Sequence, residues 1–204
     1  MARFTTERGL DRLVNFSDAT VAIALTLLVL PLTGLANEAR ESGAGRLLTD
    51  HFAAVFSFAL SFAVIAVLWR EHHRLFEAFA DYNAPVTVIN FFWLLAIVVL
   101  PFSTEVNNQA PSGDRVSLAL YIGNLLLAFA ALAGIHLAAA RDLSMIRPDR
   151  RSDFRAGSGG TLVVLCAVAL VVALCFPAIG MWALLLLVLT GPVTRLMRAR
   201  RRSR

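Results

Sequence analysis

Long apolar runs constrain this chain more than any other feature. A bilayer core about 30 Å thick is crossed by a helix of roughly 20 apolar residues. Charged residues make up only 16% of the sequence and collect between the runs, whereas a soluble domain carries about 25%. The pattern predicts an all-α integral membrane protein with residues 1–204 as a single domain. Six runs can be marked: Leu13–Leu32, Phe52–Trp69, Val86–Phe102, Val116–Ala140, Thr161–Phe176 and Ile179–Thr194.

The last two runs are separated only by Pro177 and Ala178, with Gly180 close behind. Proline and glycine at this spacing favour a tight helical hairpin, which gives six transmembrane helices. The alternative count is five spans and one re-entrant segment.

Arginine placement predicts the orientation. Six spans put the N-terminus, the second-to-third loop, the fourth-to-fifth loop and the C-terminus on one side, with sixteen of the 19 basic residues. Only Arg40, Arg46 and Arg115 fall on the other side. By the positive-inside rule, both termini of this multi-pass cell-membrane protein face the cytoplasm. We expect the fourth-to-fifth loop, Arg141–Gly160, to be a solvated connector.

Other function classes find little support. The net charge of +5 sits at the ends of apolar runs, where arginines contact lipid headgroups, so we expect no nucleic-acid partner. Cys166 and Cys175 lie inside one run and predict no metal site or disulfide. The adjacent His72 and His73 point about 100° apart on a helix and suit a single metal poorly. No catalytic motif indicates an enzyme or a cofactor.

Asp18 is the most informative residue because it lies inside an apolar run. Ionisable residues in membrane helices usually face protein or a cavity, so Asp18 needs partners. The alternating topology places Ser17, Trp69, His72 and Asn90 at a similar depth. We therefore predict a hydrogen-bonded cluster that ties the first helix to the second and third. The alternative is that Asp18 caps the helix or reaches water.

A second face of the first helix carries an apolar stripe. At about 100° per residue, Ile23, Thr26, Leu27 and Leu30 share one direction, and Asp18 points well away from it. Such a stripe with one hydroxyl is, by itself, typical of a lipid-facing or core surface.

The same helix resembles the first-helix signature of the bacterial transmembrane protein 175 family of potassium channels. The matching residues are Arg12, Phe16-Ser17-Asp18-Ala19, Ala22-Ile23-Ala24 and Thr26-Leu27-Leu28-Val29-Leu30. Further matches are Trp69, His72, Asn90 and Pro101-Phe102-Ser103-Thr104.

The resemblance implies a homotetramer with the first helices around a central pore that conducts potassium and needs no cofactor. It implies a constriction of Ile23, Leu27 and Leu30, with Thr26 as a hydroxyl ring linked to selectivity. It also implies a packing and gating motif, which comprises Arg12, Phe16, Ser17, Asp18, Trp69, His72 and Asn90.

The chain departs from the family after Leu30, where Pro31 replaces a common acidic residue. The sequence also lacks a Thr-Val-Gly-Tyr-Gly carbonyl filter, so side chains have to select the ion. Apolar rings make an ion shed part of its water, which favours potassium over sodium.

Three readings stay open at this point. The first is a potassium-selective, leak-type channel in the bilayer. The second is a secondary transporter or proton-coupled carrier that uses Asp18 and His72 as relay groups. The third is a membrane scaffold in which the polar cluster only orders helix packing.

Overall fold

A computed structural model describes residues 7–35, 43–111 and 113–156 of the 204-residue chain. Every element in these ranges is helical, apart from one isolated β-bridge between Phe79 and Ile146. The helices are α1 (Glu7–Leu27), α2 (Leu30–Gly34), α3 (Ala44–Asp50), α4 (Phe52–Phe76), α5 (Ala84–Gln109), α6 (Arg115–Arg141) and α7 (Arg151–Ala156). Two short 3₁₀ turns, Leu143–Met145 and Pro148–Arg150, connect α6 to α7.

Four helical segments in the described ranges are long and apolar enough to cross a membrane. They are Arg8–Gly34, Phe52–Phe76, Ala84–Gln109 and Arg115–Arg141. The first four predicted spans are therefore confirmed as helices. The fifth and sixth, Thr161–Phe176 and Ile179–Thr194, lie outside the described residues.

Local sequence explains where these helices begin and break. Asn83 caps α5 by accepting from Val86 N at 3.1 Å, and Asp114 caps α6 by accepting from Ser117 N at 2.8 Å. Such caps satisfy backbone N–H groups that have no intrahelical partner. Between α1 and α2, Pro31 has no N–H to continue the ladder, so the helix is interrupted and restarts with proline in its first turn.

Successive long helices run antiparallel, so the described part of the chain has two distinct ends. The end where α1 begins and α4 and α6 finish is called the basic end here. Its described arginines are Arg8, Arg12, Arg70, Arg74, Arg141, Arg147, Arg150, Arg151 and Arg155. The opposite end holds only Arg46 and Arg115 among the described arginines.

The main core lies between α4, α5 and α6, and α1 packs on its α4–α5 side. Its largest fully buried side chains include Trp93, Tyr121, Leu68 and Ile97. A membrane protein that buries aromatic and aliphatic side chains this way relies on close packing, because lipid is as apolar as the core.

The loop after α6 is not the solvated connector that its charges predict. Met145 and Ile146 are fully buried and Phe154 is nearly so, in a second core with Phe79 and Leu10. The sequence gives no sign of this burial, because the apolar residues of the segment recur with neither a helical nor a strand period. Backbone hydrogen bonds hold the segment to the α4–α5 turn, from Ala80 N to Met145 O at 2.7 Å and from Arg147 N to Ala78 O at 2.9 Å.

Candidate functional site: the two faces of α1

One face of α1 is buried in the subunit. Ser17, Val21, Ala24 and Leu28 are nearly inaccessible and recur at the three- and four-residue spacing of one helical face. They contact α4 and α5. The small Ser17 and Ala24 let the helices approach closely, which is the usual way in which membrane helices associate.

The face that the sequence predicts as a stripe is left uncovered. Ile23 is 60% exposed, Leu30 is 56% exposed, and Thr26 and Leu27 are also exposed. Thr26 Oγ1 donates to the carbonyl oxygen of Ile23 at 2.7 Å. Its only hydroxyl proton is thus used inside the helix, and its oxygen lone pairs remain free to accept from, or coordinate, something outside it.

A directed chain of hydrogen bonds ties α1 to α4 and α5. Ser17 Oγ donates to the carbonyl oxygen of Leu13 at 2.9 Å. Asn90 Nδ2 donates to Ser17 Oγ at 3.0 Å, which turns Asn90 Oδ1 towards His72 Nε2 at 2.8 Å. Because an amide oxygen only accepts, His72 carries its proton on Nε2 and donates it to Asn90. Asn90 is therefore the hub that joins the three helices.

Aromatic rings complete the surroundings of His72. Trp93 stacks on the imidazole with ring centroids 4.0 Å apart and planes 14° apart, and Phe76 lies 4.4 Å away. His72 and Trp93 are fully buried. Among the described residues, His72 Nδ1 and Trp93 Nε1 have no hydrogen-bond partner. The ring is held by one hydrogen bond and two stacking contacts.

Asp18 lies beside the Leu13–Ser17–Asn90–His72 chain of hydrogen bonds but is not a member of it. Trp69 Nε1 donates to Asp18 Oδ1 at 2.9 Å, at an exposed position between α1 and α4. No hydrogen bond joins Asp18 to His72 within the described ranges. We call Ser17, Asp18, Trp69, His72 and Asn90 the basic-end cluster.

Two residues of the predicted motif lie apart from this cluster. Arg12 is exposed, and no described residue forms a hydrogen bond or an ion pair with it. Phe16 is also exposed and contacts the ring of Phe91 on α5, with centroids 6.1 Å apart. Both side chains lie on the outer surface of the single subunit.

A second polar cluster, absent from the sequence analysis, lies towards the opposite end. Ser61 Oγ is 3.0 Å from Thr104 Oγ1 and 2.9 Å from Tyr121 Oη, and these side chains join α4, α5 and α6. Thr104 also donates to Leu100 O at 2.8 Å. We call Ser61, Thr104 and Tyr121 the hydroxyl cluster.

Near this cluster, Pro101 lies inside α5. Asn124 on α6 donates to the carbonyl oxygen of Ala96 at 2.9 Å. Pro101 lacks the N–H that would bond to Ile97 O, and Ala96 O lies one residue before that position. The bond from Asn124 also links α5 to α6.

Sequence reasoning missed Trp93, although a signal for it existed. Trp93 follows Asn90 by three residues, so the two side chains share one face of α5. A Trp on the face that carries a predicted cluster residue is a reasonable candidate for the same cluster. The hydroxyl cluster had a weaker signal, since Ser61 and Tyr121 stand alone in apolar runs.

The chemistry that these residues offer is packing and coordination. No group of three His, Cys, Asp or Glu side chains within residues 7–35, 43–111 and 113–156 is arranged to hold a metal ion. The Thr26 hydroxyl oxygen and the apolar side chains beside it form an exposed surface of α1.

The chain is similar to known potassium channels. Residues 12–101 match the family described as endosomal/lysosomal potassium channel TMEM175. A potassium channel from Chamaesiphon minutus is 31% identical over 185 residues, which cover 81% of this chain and 89% of that protein. A potassium channel from Streptomyces collinus is 29% identical over 126 residues, which cover 60% of this chain and 59% of that protein.

More distant relatives and a solved structure extend the comparison. The human endosomal/lysosomal proton channel TMEM175 is 26% identical over 96 residues, which cover 46% of this chain and 18% of that protein. The crystal structure of a lysosomal potassium-selective channel TMEM175 homolog from Chamaesiphon minutus superposes with a TM-score of 0.66 at 24% identity. It covers 94% of this chain and 98% of that chain, and this likeness concerns the fold.

Proposed function

The chain belongs to the TMEM175 family of potassium channels, and on this premise we propose that four copies of it form a potassium-selective, leak-type channel with α1 around the pore. The resemblance read from the sequence is thereby confirmed at the level of the family. The subunit number, the pore and the roles of individual residues are our proposals.

The observation that carries this proposal is the uncovered stripe of α1. The helix buries Ser17 and Ala24 on one side while Ile23 and Leu30 stay exposed on the other. A single subunit provides no passage along this stripe. Four copies arranged with their stripes towards a common axis would enclose one.

The chemistry of the stripe suits a side-chain constriction. Rings of Ile23, Leu27 and Leu30 would form an apolar neck that resists wetting, so an ion has to shed part of its hydration shell to pass. Thr26 lies within this neck, and its oxygen has free lone pairs because the proton is donated to Ile23 O. Four such oxygens would replace part of the lost water.

The basic-end cluster has a positioning role in this proposal. Its hydrogen bonds fix α1 against α4 and α5 through Asn90. Arg12 and Phe16 lie on the exposed surface of the subunit, where a neighbouring copy or lipid would contact them. We propose six spans, with both termini in the cytoplasm and the basic end facing it, in a cell membrane.

The alternative of a proton-coupled carrier gains little from the geometry. A relay needs donors and acceptors in a continuous chain, and Asp18 and His72 are bonded to different partners, Trp69 and Asn90. The chain of hydrogen bonds that includes His72 ends at the carbonyl oxygen of Leu13.

The test is ion flux from liposomes that contain the purified protein. We expect passive flux that prefers potassium to sodium. Leu30→Ala widens the proposed neck and should raise flux and reduce that preference, and Thr26→Val, which removes the oxygen at similar volume, should reduce the preference for potassium.

Leu137 on α6 provides the matched control, because it is a leucine with 59% exposure against 56% for Leu30. Leu137→Ala should leave flux unchanged. Equal responses to the two leucine substitutions would contradict a pore at α1. Flux strictly coupled to protons would favour the carrier, and a dimer or a monomer by native mass spectrometry would refute the tetramer.

A further inference from the structure

The segment after α6 carries an ordered basic surface at the basic end. Arg147 and Arg151 are both exposed. Arg147 Nε donates to Phe79 O at 3.3 Å, and Arg151 Nε donates to Ile146 O at 3.1 Å. The two acceptors belong to the residues that form the isolated β-bridge. Both guanidinium groups are thus held in place by Nε, while their terminal nitrogens remain for an outside partner.

Two acidic side chains of the segment, those of Asp142 and Asp149, have other partners. Asp142 accepts from the backbone N–H and the hydroxyl of Ser144, and Asp149 lies 3.7 Å from Arg150. Within the described part of the chain, neither Arg147 nor Arg151 forms an ion pair. Neither Asp142 nor Asp149 therefore neutralises their charges.

The position of the segment indicates where an anion would come from. It lies between the ends of α4 and α6 and the beginning of α5, which is the level at which these spans leave the apolar part of the bilayer. The segment is fixed there, because Met145 and Ile146 are fully buried beneath it. Arginine binds phosphate oxygens through two parallel N–H donors, so guanidinium groups at this depth match lipid phosphates.

We propose that Arg147 and Arg151 form a binding surface for the phosphate of anionic phospholipid headgroups in the leaflet at the basic end. The same phosphate chemistry would admit soluble phosphate, but the membrane-level position favours the lipid. The core beneath this surface includes Leu10 of α1, so the segment that would bind the headgroup shares a core with the proposed pore helix.

The experiment counts bound lipid on the purified protein by native mass spectrometry during titration with phosphatidylglycerol or phosphatidylcholine. The wild type should retain phosphatidylglycerol preferentially. Each arginine should contribute about fivefold to its affinity, the factor that corresponds to ~1 kcal/mol per basic side chain near an anionic surface. Arg147→Gln with Arg151→Gln should therefore lose this preference.

The control is Arg115→Gln with Arg150→Gln. It also removes two positive charges from the chain, and one of them, at Arg150, comes from the same segment. Its lipid preference should match the wild type. Equal losses in the two double variants, or no loss in the first, would overturn the proposal. Displacement of phosphatidylglycerol by excess inorganic phosphate, together with Arg147- and Arg151-dependent thermal stabilisation by phosphate, would assign the site to a soluble anion instead.

If the first double variant does not fold, Arg151→Gln alone gives the same test, with an expected loss of about fivefold in affinity for phosphatidylglycerol. Arg147→Lys with Arg151→Lys keeps both charges and should retain part of the preference for phosphatidylglycerol. Lipid counting requires no ion flux, so a negative result here is distinguishable from failure of the channel proposal.

Discussion

The two polar clusters differ in whether they include α1. The basic-end cluster joins α1 to α4 and α5 through Ser17, Asn90 and His72. The hydroxyl cluster joins α4, α5 and α6 and leaves α1 out. The three-helix core thus has a polar connection in both halves, while the described part of the proposed pore helix has one only at its midpoint, at Ser17 and Asp18.

Beyond Asp18, the threonine hydroxyls of α1 and α2 donate to backbone carbonyls of the preceding turn. Thr20, Thr26 and Thr33 donate to the carbonyls of Phe16, Ile23 and Leu30. In the described ranges, the rest of α1 is held to the core by apolar packing alone. We infer that the half of α1 that carries the stripe is the more adjustable half.

The strongest test of this difference is Asn90→Ala. It removes the hub of the basic-end cluster and leaves Ser17 and His72 without their mutual partner. Each buried polar group without a partner costs ~1–3 kcal/mol, so we expect a loss of about 2 kcal/mol or more in the free energy of unfolding. The measurement is reversible unfolding in mixed detergent micelles.

Asn124→Ala is the control for this substitution. Asn124 makes one hydrogen bond to a backbone carbonyl of α5, and α1 is not involved. We expect a loss of about 1 kcal/mol for it. Equal losses at the two asparagines would show that the basic-end cluster has no special role.

A comparison of intermediate size sets Ser17→Ala against Tyr121→Phe. Each removes one hydroxyl from one cluster, and interhelical hydrogen bonds in membranes contribute ~0.6–2 kcal/mol, so the stability losses should be similar. Only Ser17→Ala releases α1. Flux in liposomes should change with Ser17→Ala and stay as in the wild type with Tyr121→Phe, and the reverse result would show that the hydroxyl cluster controls the pore.

The smallest effect should come from Asp18 and Trp69, because their hydrogen bond is exposed. A double-mutant cycle with Asp18→Asn and Trp69→Phe should give a coupling energy of ~0.5–1 kcal/mol in the free energy of unfolding. Strict additivity would mean that the two side chains act independently, in which case the cluster consists of Ser17, Asn90 and His72 alone.

Much of this site was predictable because topology fixes depth. The bounds of the apolar runs and the alternating direction of the spans place Ser17, Trp69, His72 and Asn90 at one level. The pairing was not predictable, since depth does not determine how each helix is rotated. Asp18 was expected to be the centre, yet the hub is Asn90, and Trp93 was missed.

The exposed stripe was predictable from its period, but its environment was not. Ile23 and Leu30 share a direction on any helix, whether that direction faces lipid or a neighbouring copy. The fold of the segment after α6 was missed for a different reason. Met145, Ile146 and Phe154 are scattered among charges, and burial of this kind depends on contacts with Phe79 and Leu10 that are distant in sequence.

The bond between Ser17 and Asn90 has a consequence for the geometry of the proposed tetramer. A shift of α1 by one residue in register would turn it by about 100° and carry the Ser17 hydroxyl out of reach of the amide. Together with the buried Val21, Ala24 and Leu28, this serine sets the azimuth of every other side chain on the helix. In a symmetric ring of four subunits, that single angle would decide which atoms meet at the axis, although the serine itself never approaches it.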